Sequence, residues 1–431
     1  MRVNNVAAGE YSLGLWQGVA LYVGAVLGTG VLVLPAIAAE TAGPASVLAW
    51  LALVVISLPL ALVYAALSRD QPDSAGFSGA IERAFGPQWG AVAGWLFVAQ
   101  APTGTVVATL IAGKYAASLI GGGRDAAFAL GGGLVLLAYL LNVAGLRVSA
   151  RAQIFSLAAI TVGMTVIVGR ALGQVNPTAF VPFAPRGTTA IGLAAVQLFW
   201  AFVGWEAITP LATEFRNPKD ISRASLLAVV MVGILYVSLA VATVGTRAYG
   251  ANLPSEAPLV RMAAGTFGPS AALAVGVAGF VLSFAPLNAY TAGLSRLIFA
   301  LGRRGQLPAW LGVASASGTP RRALAAAGAY AADWGIAALL PLSTSSFIAT
   351  YVLSMAAGVR LLRPPLRYAA ALSLAACAVV LFFIGPLLAW IAGVAVCSLA
   401  YQRFVTARSV RLRSDASAEG VLRPASPPRA G

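Results

Sequence analysis

Glu206 is an ionisable carboxyl set well inside an apolar run, at the end of Phe199-Trp200-Ala201-Phe202-Val203-Gly204-Trp205, where a glycine stands between bulky aromatics. A charge near the centre of a hydrocarbon layer is costly, so such a group must face a cavity or a partner. Its chemistry is proton coupling or gating, and the plainer reading is a hydrogen-bonded clamp that holds helix geometry. A second constellation, Gly24-Ala25-Val26-Leu27-Gly28-Thr29-Gly30-Val31-Leu32-Val33-Leu34-Pro35, packs three glycines and a proline into one apolar run. A helix so built is expected to break near its middle, and in lipid the freed N–H and C=O groups are tolerated only against protein or a polar cavity. Amides at Gly28, Thr29 and Gly30 would then open a half-helix whose positive end suits a carboxylate. Close glycine packing between helices is the alternative.

Other chemistry is scarce. Histidine is absent, which removes the commonest metal ligand and the usual general base. The two cysteines, Cys377 and Cys397, each lie in an apolar run and imply no disulfide framework. No catalytic residue, metal site or cofactor is expected, and an enzyme is disfavoured because the acids, histidines and cysteines it would need at one membrane face are not clustered. The net charge of +15 does not mark a nucleic-acid partner, because the 28 basic residues fall mostly in short gaps between apolar runs. Those gaps read as anchors to membrane lipid.

The elements that must position these residues follow from hydropathy. The chain is 431 residues long, 59% hydrophobic and only 10% charged, more apolar surface than one water-soluble core can hide. Spanning about 30 Å of hydrocarbon takes about 20 apolar residues. Twelve such runs are predicted, at 13–39, 44–67, 89–119, 126–143, 149–173, 188–213, 224–246, 270–300, 322–340, 343–359, 367–384 and 386–404. Between the ninth and tenth, Leu340-Pro341-Leu342 reads as a loop or as a kink. The first run is too long for a cleavable signal and reads as an uncleaved helix. Arg69, Arg83, Arg147, Arg151, Arg216, Lys219 and most arginines from 303 onward fall on one side, against Lys114, Arg124, Arg170, Arg186, Arg247 and Arg261 on the other. Positive residues stay inside, so both termini are expected in the cytoplasm. The stretch Ser78 to Phe85 is amphipathic and reads equally as a gate element at the interface or a docked loop. Residues 1–12 and 409–431 form cytoplasmic tails, the latter rich in Arg, Pro, Ser and Ala and expected to be disordered.

Interrupted runs one and six each open a set of five, as an inverted repeat would: residues 13–173 make the first repeat, 188–359 the second, and 367–404 two extra helices. With these features in view, the sequence resembles the amino acid, polyamine and organocation (APC) superfamily of transporters with its LeuT-like fold. The likeness rests on Gly24 to Pro35, and on Phe202-Val203-Gly204-Trp205-Glu206 followed by Glu214-Phe215-Arg216-Asn217-Pro218-Lys219-Asp220. It rests also on Gly302-Arg303-Arg304-Gly305-Gln306-Leu307-Pro308. Within the superfamily, Leu27 to Val31, Leu34-Pro35-Ala36 and Thr213 to Pro218 look most like bacterial exporters of methionine and branched-chain amino acids. Asp220-Ile221-Ser222 departs from the pattern, where a proline is common.

The resemblance implies an all-α integral membrane fold of twelve helices, with helices one and six broken. It implies that Val26, Gly28, Thr29 and Gly30 offer backbone groups to a substrate carboxylate and amine, and that Ala201, Phe202 and Val203 offer carbonyls to the ammonium. Trp200 and Tyr290 would cover the substrate, with a cation–π contact open to either and core packing as the alternative. Pro102, Thr103 and Gly104 would line a side-chain pocket, Thr103 among the contacts, with a helix kink as the alternative. Asp333 reads as an interhelical hydrogen-bonding residue, and Arg296 as one that snorkels or pairs with an inner-gate acid. The expected function is proton-coupled efflux of neutral, apolar amino acids across a bacterial inner membrane by alternating access. Import or exchange is the nearest alternative, and a non-transporting amino-acid sensor or a membrane enzyme the alternatives of another class. Ser283, Thr291 and Ser295 leave an oxygen-lined sodium site open, and the oligomeric state is open as well.

Overall fold

The computed structural model describes residues 14–70, 77–143, 150–206, 215–250, 258–303, 305–312 and 336–421. The first predicted span is two helices: α1 (Leu15–Val26) and α2 (Leu34–Ala42), joined by a 3₁₀ turn at Thr29–Leu32. Next come α3 (Ser46–Asp70), the short α4 (Phe77–Phe85), α5 (Pro87–Leu119), α6 (Arg124–Val143) and α7 (Ala150–Leu172). The sixth span starts as α8 (Thr189–Phe199) and tightens into a 3₁₀ turn at Trp200–Phe202. Then follow α9 (Pro218–Gly245), α10 (Pro258–Phe267), α11 (Pro269–Arg303), α12 (Ile336–Leu361), α13 (Leu366–Phe382) and α14 (Leu388–Val421).

Six segments among the described residues are long and apolar enough to cross a membrane, from Leu34–Arg69 to Gly385–Val405. Their outward faces are apolar: Val55 is 57% exposed, Ile234 66% and Val396 62%. Such a surface would draw a water-soluble chain into aggregates, and in a membrane protein it is the face offered to lipid.

Several boundaries differ from the sequence reading. Pro341 lies inside α12, which begins at Ile336, so this stretch is helix and not a loop. A proline that loses one ladder bond is tolerated in a span because neighbouring groups re-satisfy the freed carbonyl. The last five residues of the predicted ninth span therefore belong to α12; the rest of that span, with Asp333, lies outside the described residues. Helix α9 starts earlier than hydropathy suggests, because the Asn217 side chain caps it by accepting from Lys219 N–H at 3.0 Å and Pro218 sits at its first position. Helix α14 runs on to Val421, into the stretch expected to be disordered. That stretch holds Arg, Leu, Ala and Glu, all good helix formers, and its prolines come only after residue 421. The amphipathic stretch at 78–85 is helix α4, packed on α5 and α12.

Helix α5 lies at the centre, packed against α6, α11, α12 and α14. Helices α1 and α3 both lean on α9, and α2 and α3 on α8. This arrangement brings the interruption after α1 against the one after α8.

Candidate functional site

Both interruptions are real breaks in the backbone ladder. Helix α1 ends at Val26, Leu27 leaves helical geometry at ψ 67°, and Gly28 is extended at ψ −170°. Past Phe202, Val203 is extended at ψ 143° and Gly204 takes φ +129°, a region open to glycine and strained for any other residue. The breaks touch: a Cβ on Gly204 would lie 2.5 Å from the Ala25 carbonyl oxygen, and one on Gly30 3.3 Å from the Trp200 ring.

Buried tyrosines from distant helices hold the freed carbonyls. The Tyr236 hydroxyl on α9 lies 3.0 Å from the Val26 carbonyl oxygen and 3.1 Å from that of Ala201, so one O–H is shared between both breaks. The Tyr115 hydroxyl on α5 donates to the Leu32 carbonyl at 2.6 Å. On the other side of the second break, Glu206 accepts from the Gly204 N–H at 3.0 Å and from the Tyr351 hydroxyl of α12. Tyr351 packs edge-on against Tyr64 and Phe199, with ring centroids 5.2 and 5.3 Å apart. A buried phenol needs a partner for its hydroxyl, and here the backbone at the breaks supplies it to Tyr236 and Tyr115 and the Glu206 carboxyl to Tyr351.

A cavity of about 50 Å³ opens between the breaks. In that measure it holds roughly three to five waters. Val26, Gly28, Thr29 and Gly30 border it from the first break, and Trp200, Ala201 and Val203 from the second. Helix α5 contributes Gln100, Gly104, Thr105 and Ala108, while Leu287 and Phe347 close it from α11 and α12.

Seven of the residues expected to touch substrate, and Gly104 of the expected pocket wall, thus share one cavity, while Thr103 and Phe202 do not border it. Thr103 is fully buried on α5 without bordering the cavity, and its hydroxyl donates back to the carbonyls of Ala99 and Gln100 at 3.1 and 2.9 Å. Phe202 packs between Trp50 and Tyr236, at centroid distances of 5.7 and 5.3 Å. Tyr290 lies on α11 with its side chain outside the described set, as do the side chains of Thr291, Ser295 and Arg296. Glu206 does not border the cavity; it is sealed behind the second break. Ser283 donates to the Gly279 carbonyl at 2.7 Å, within its own helix. The Gly28 amide is not free either, since it donates to the Val26 carbonyl at 2.7 Å, which leaves the amides of Thr29 and Gly30 to open the turn.

The sequence reading missed Tyr115, Tyr236, Tyr351 and Gln100. The available signal was a hydroxyl or amide in the middle of an apolar span, which lipid cannot satisfy. Among the described residues no group of three or more His, Cys, Asp or Glu could hold a metal ion.

A family model described as amino acid permease matches residues 13–408. The chain belongs to the amino acid permease family. The permease is 34% identical over 404 residues to the uncharacterized amino acid permease YecA of Bacillus subtilis (strain 168), covering 90% of this chain and 94% of that relative. It is 32% identical over 389 residues to the L-methionine/branched-chain amino acid exporter YjeH of Escherichia coli (strain K12), covering 87% and 92%. To the branched-chain amino acid permease BcaP of Lactococcus lactis it is 26% identical over 342 residues, 70% of each chain. The permease is accordingly a multi-pass membrane protein of a transporter family, and the enzyme alternative falls away.

Proposed function

We propose that the protein is a secondary active transporter that exports neutral, apolar amino acids across a bacterial inner membrane by alternating access. The observation that carries the reading is the cavity enclosed by two facing helix breaks. It places the amides that open a helical turn, the positive pole, opposite carbonyls that end α1 and the Trp200–Phe202 turn, the negative pole. A zwitterion matches that polarity, and Ala108, Leu287 and Phe347 suit an apolar side chain. Likeness to the E. coli exporter supports both the direction and the methionine or branched-chain class.

In this reading twelve helices form two inverted five-helix repeats and a terminal pair, with both termini in the cytoplasm. Alternating access moves the half-helices as substrate enters and leaves. Glu206 would couple the proton gradient to that movement through its contact with Gly204, since gaining or losing a proton changes what the carboxyl can accept. No cofactor takes part.

The test is efflux of labelled methionine and leucine from proteoliposomes, with and without a proton gradient, for wild type and Glu206→Gln. The expected result is gradient-driven efflux by wild type, and in the variant binding without gradient dependence. Full gradient-driven efflux by the variant would reduce Glu206 to a clamp, and dependence on sodium instead of protons would replace the coupling ion.

A further inference from the structure

Gln100 is 1% exposed, borders the cavity from α5, and carries a side-chain oxygen, Oε1, that is buried without a hydrogen-bond partner among the described residues. An amide oxygen kept dry and unpaired destabilises the empty protein, so its retention asks for a donor that arrives from outside the fold. The backbone beneath it is pinned: the Gln100 carbonyl accepts from Thr103 Oγ1 and from Ser343 Oγ of α12, both at 2.9 Å. Two buried hydroxyls from two helices therefore hold Gln100 at the cavity wall. Gly104 and Ala108 follow at four-residue intervals on the same helix face and also border the cavity, so Gln100 is the polar end of an otherwise small-residue strip.

The carbonyls expected to take a substrate ammonium are partly occupied. A carbonyl oxygen has two lone pairs, and Val26 already accepts from Gly28 N–H at 2.7 Å and from the Tyr236 hydroxyl at 3.0 Å. Ala201 accepts from the same hydroxyl at 3.1 Å. An ammonium brings three N–H donors and must find acceptors beyond these.

We propose that the Gln100 side-chain oxygen, buried beside the cavity in this state, is a substrate ligand that accepts an N–H from the ammonium of the amino acid once the site opens to admit it. This rests on the amino-acid reading above, and it assigns to α5 a contact with the zwitterionic head in place of a purely apolar pocket wall.

The experiment compares purified wild type with Gln100→Leu and Gln100→Met, using L-leucine and isocaproate, which is leucine without its amino group. A hydrogen bond to a charged group is worth about tenfold to a hundredfold in affinity. Both variants are expected to lose that much for leucine and to bind isocaproate as wild type does. Without ligand, their melting temperatures in detergent should equal or exceed that of wild type, because an unpaired amide has been replaced by an apolar group of similar size. Equal losses for leucine and isocaproate, unchanged leucine affinity, or a lowered melting temperature without ligand would overturn the proposal. Failure of wild type to bind leucine or any other neutral amino acid would instead overturn the reading on which it rests.

Discussion

Gly204 combines two constraints that only glycine can meet. Its φ of +129° strains any residue with a Cβ, and that Cβ would sit 2.5 Å from the backbone oxygen of Ala25, which cannot step aside as a side-chain end could. Gly204→Ala is expected to destabilise the protein by about 2 to 4 kcal/mol. A marked fall in melting temperature in detergent, together with loss of substrate binding, checks this, and a variant that melts and binds like wild type would contradict it. Two positions on, Glu206 allows its clamp and coupling roles to be separated. Glutamine keeps a side-chain oxygen that can accept from Gly204 and Tyr351, so Glu206→Gln should fold as stably as wild type. Glu206→Leu removes that acceptor from the buried Tyr351 hydroxyl, a loss of about 1 to 3 kcal/mol, and leaves the Gly204 N–H only its longer bond of 3.3 Å to that hydroxyl. Thermal unfolding of the pair should therefore rank glutamine well above leucine, and equal stabilities would deny the clamp.

Among the helices, α5 works as the central post because its neighbours come unusually near. A Cβ on Gly113 would lie 2.0 Å from the Ala127 carbonyl oxygen of α6, and one on Gly131 2.6 Å from the Thr109 carbonyl oxygen of α5. Small residues at such crossings let backbones meet, which is how helices associate where lipid offers no hydrophobic drive. Gly131→Val should push α6 away from α5, lowering the yield of folded protein and its melting temperature. The cavity residues Gln100, Gly104 and Ala108 lie toward the start of α5 from this crossing, so the affinity of the protein that does fold should fall less than its stability. Size-exclusion profiles and ligand binding on the same preparation measure both, and a Gly131→Val protein of wild-type stability would show that the close approach is dispensable.

Across the whole molecule, the proposed orientation places the 181–187 segment outside and the 362–365 connection inside. The first lies at the α2–α3 end of the bundle, where Ala45 N–H donates to the Phe183 carbonyl at 2.9 Å. The native thiols fit such a test: Cys377 is buried, and Cys397 lies on a lipid-facing span. In intact cells a membrane-impermeant maleimide should label Arg186→Cys and leave Arg363→Cys untouched until the cells are opened. The opposite pattern would invert the orientation.

Much of this was written locally in the sequence. Apolar run length announced a multi-pass membrane chain, because about 20 residues must cross the hydrocarbon whatever their partners are. Glycine and proline marked the breaks at residues 28–30 and 203–204, because backbone freedom is a property of the residue itself. Asn217-Pro218, read from the sequence as loop with the span starting at 224, proves to be the cap and first position of α9. What closes the breaks was not legible. Tyr236 reaches Val26 across 210 positions and Tyr351 reaches Glu206 across 145, and no short-range pattern pairs residues at such distances. The same holds for which face of α5 meets the cavity: Gln100 and Gly104 border it while Thr103, one residue from Gly104, turns its hydroxyl back to its own helix. Composition decides that a freed carbonyl or a buried amide needs a partner in lipid; only the packing of the helices decides which group supplies it, because a hydrogen bond forms over about 3 Å of space and takes no account of separation along the chain.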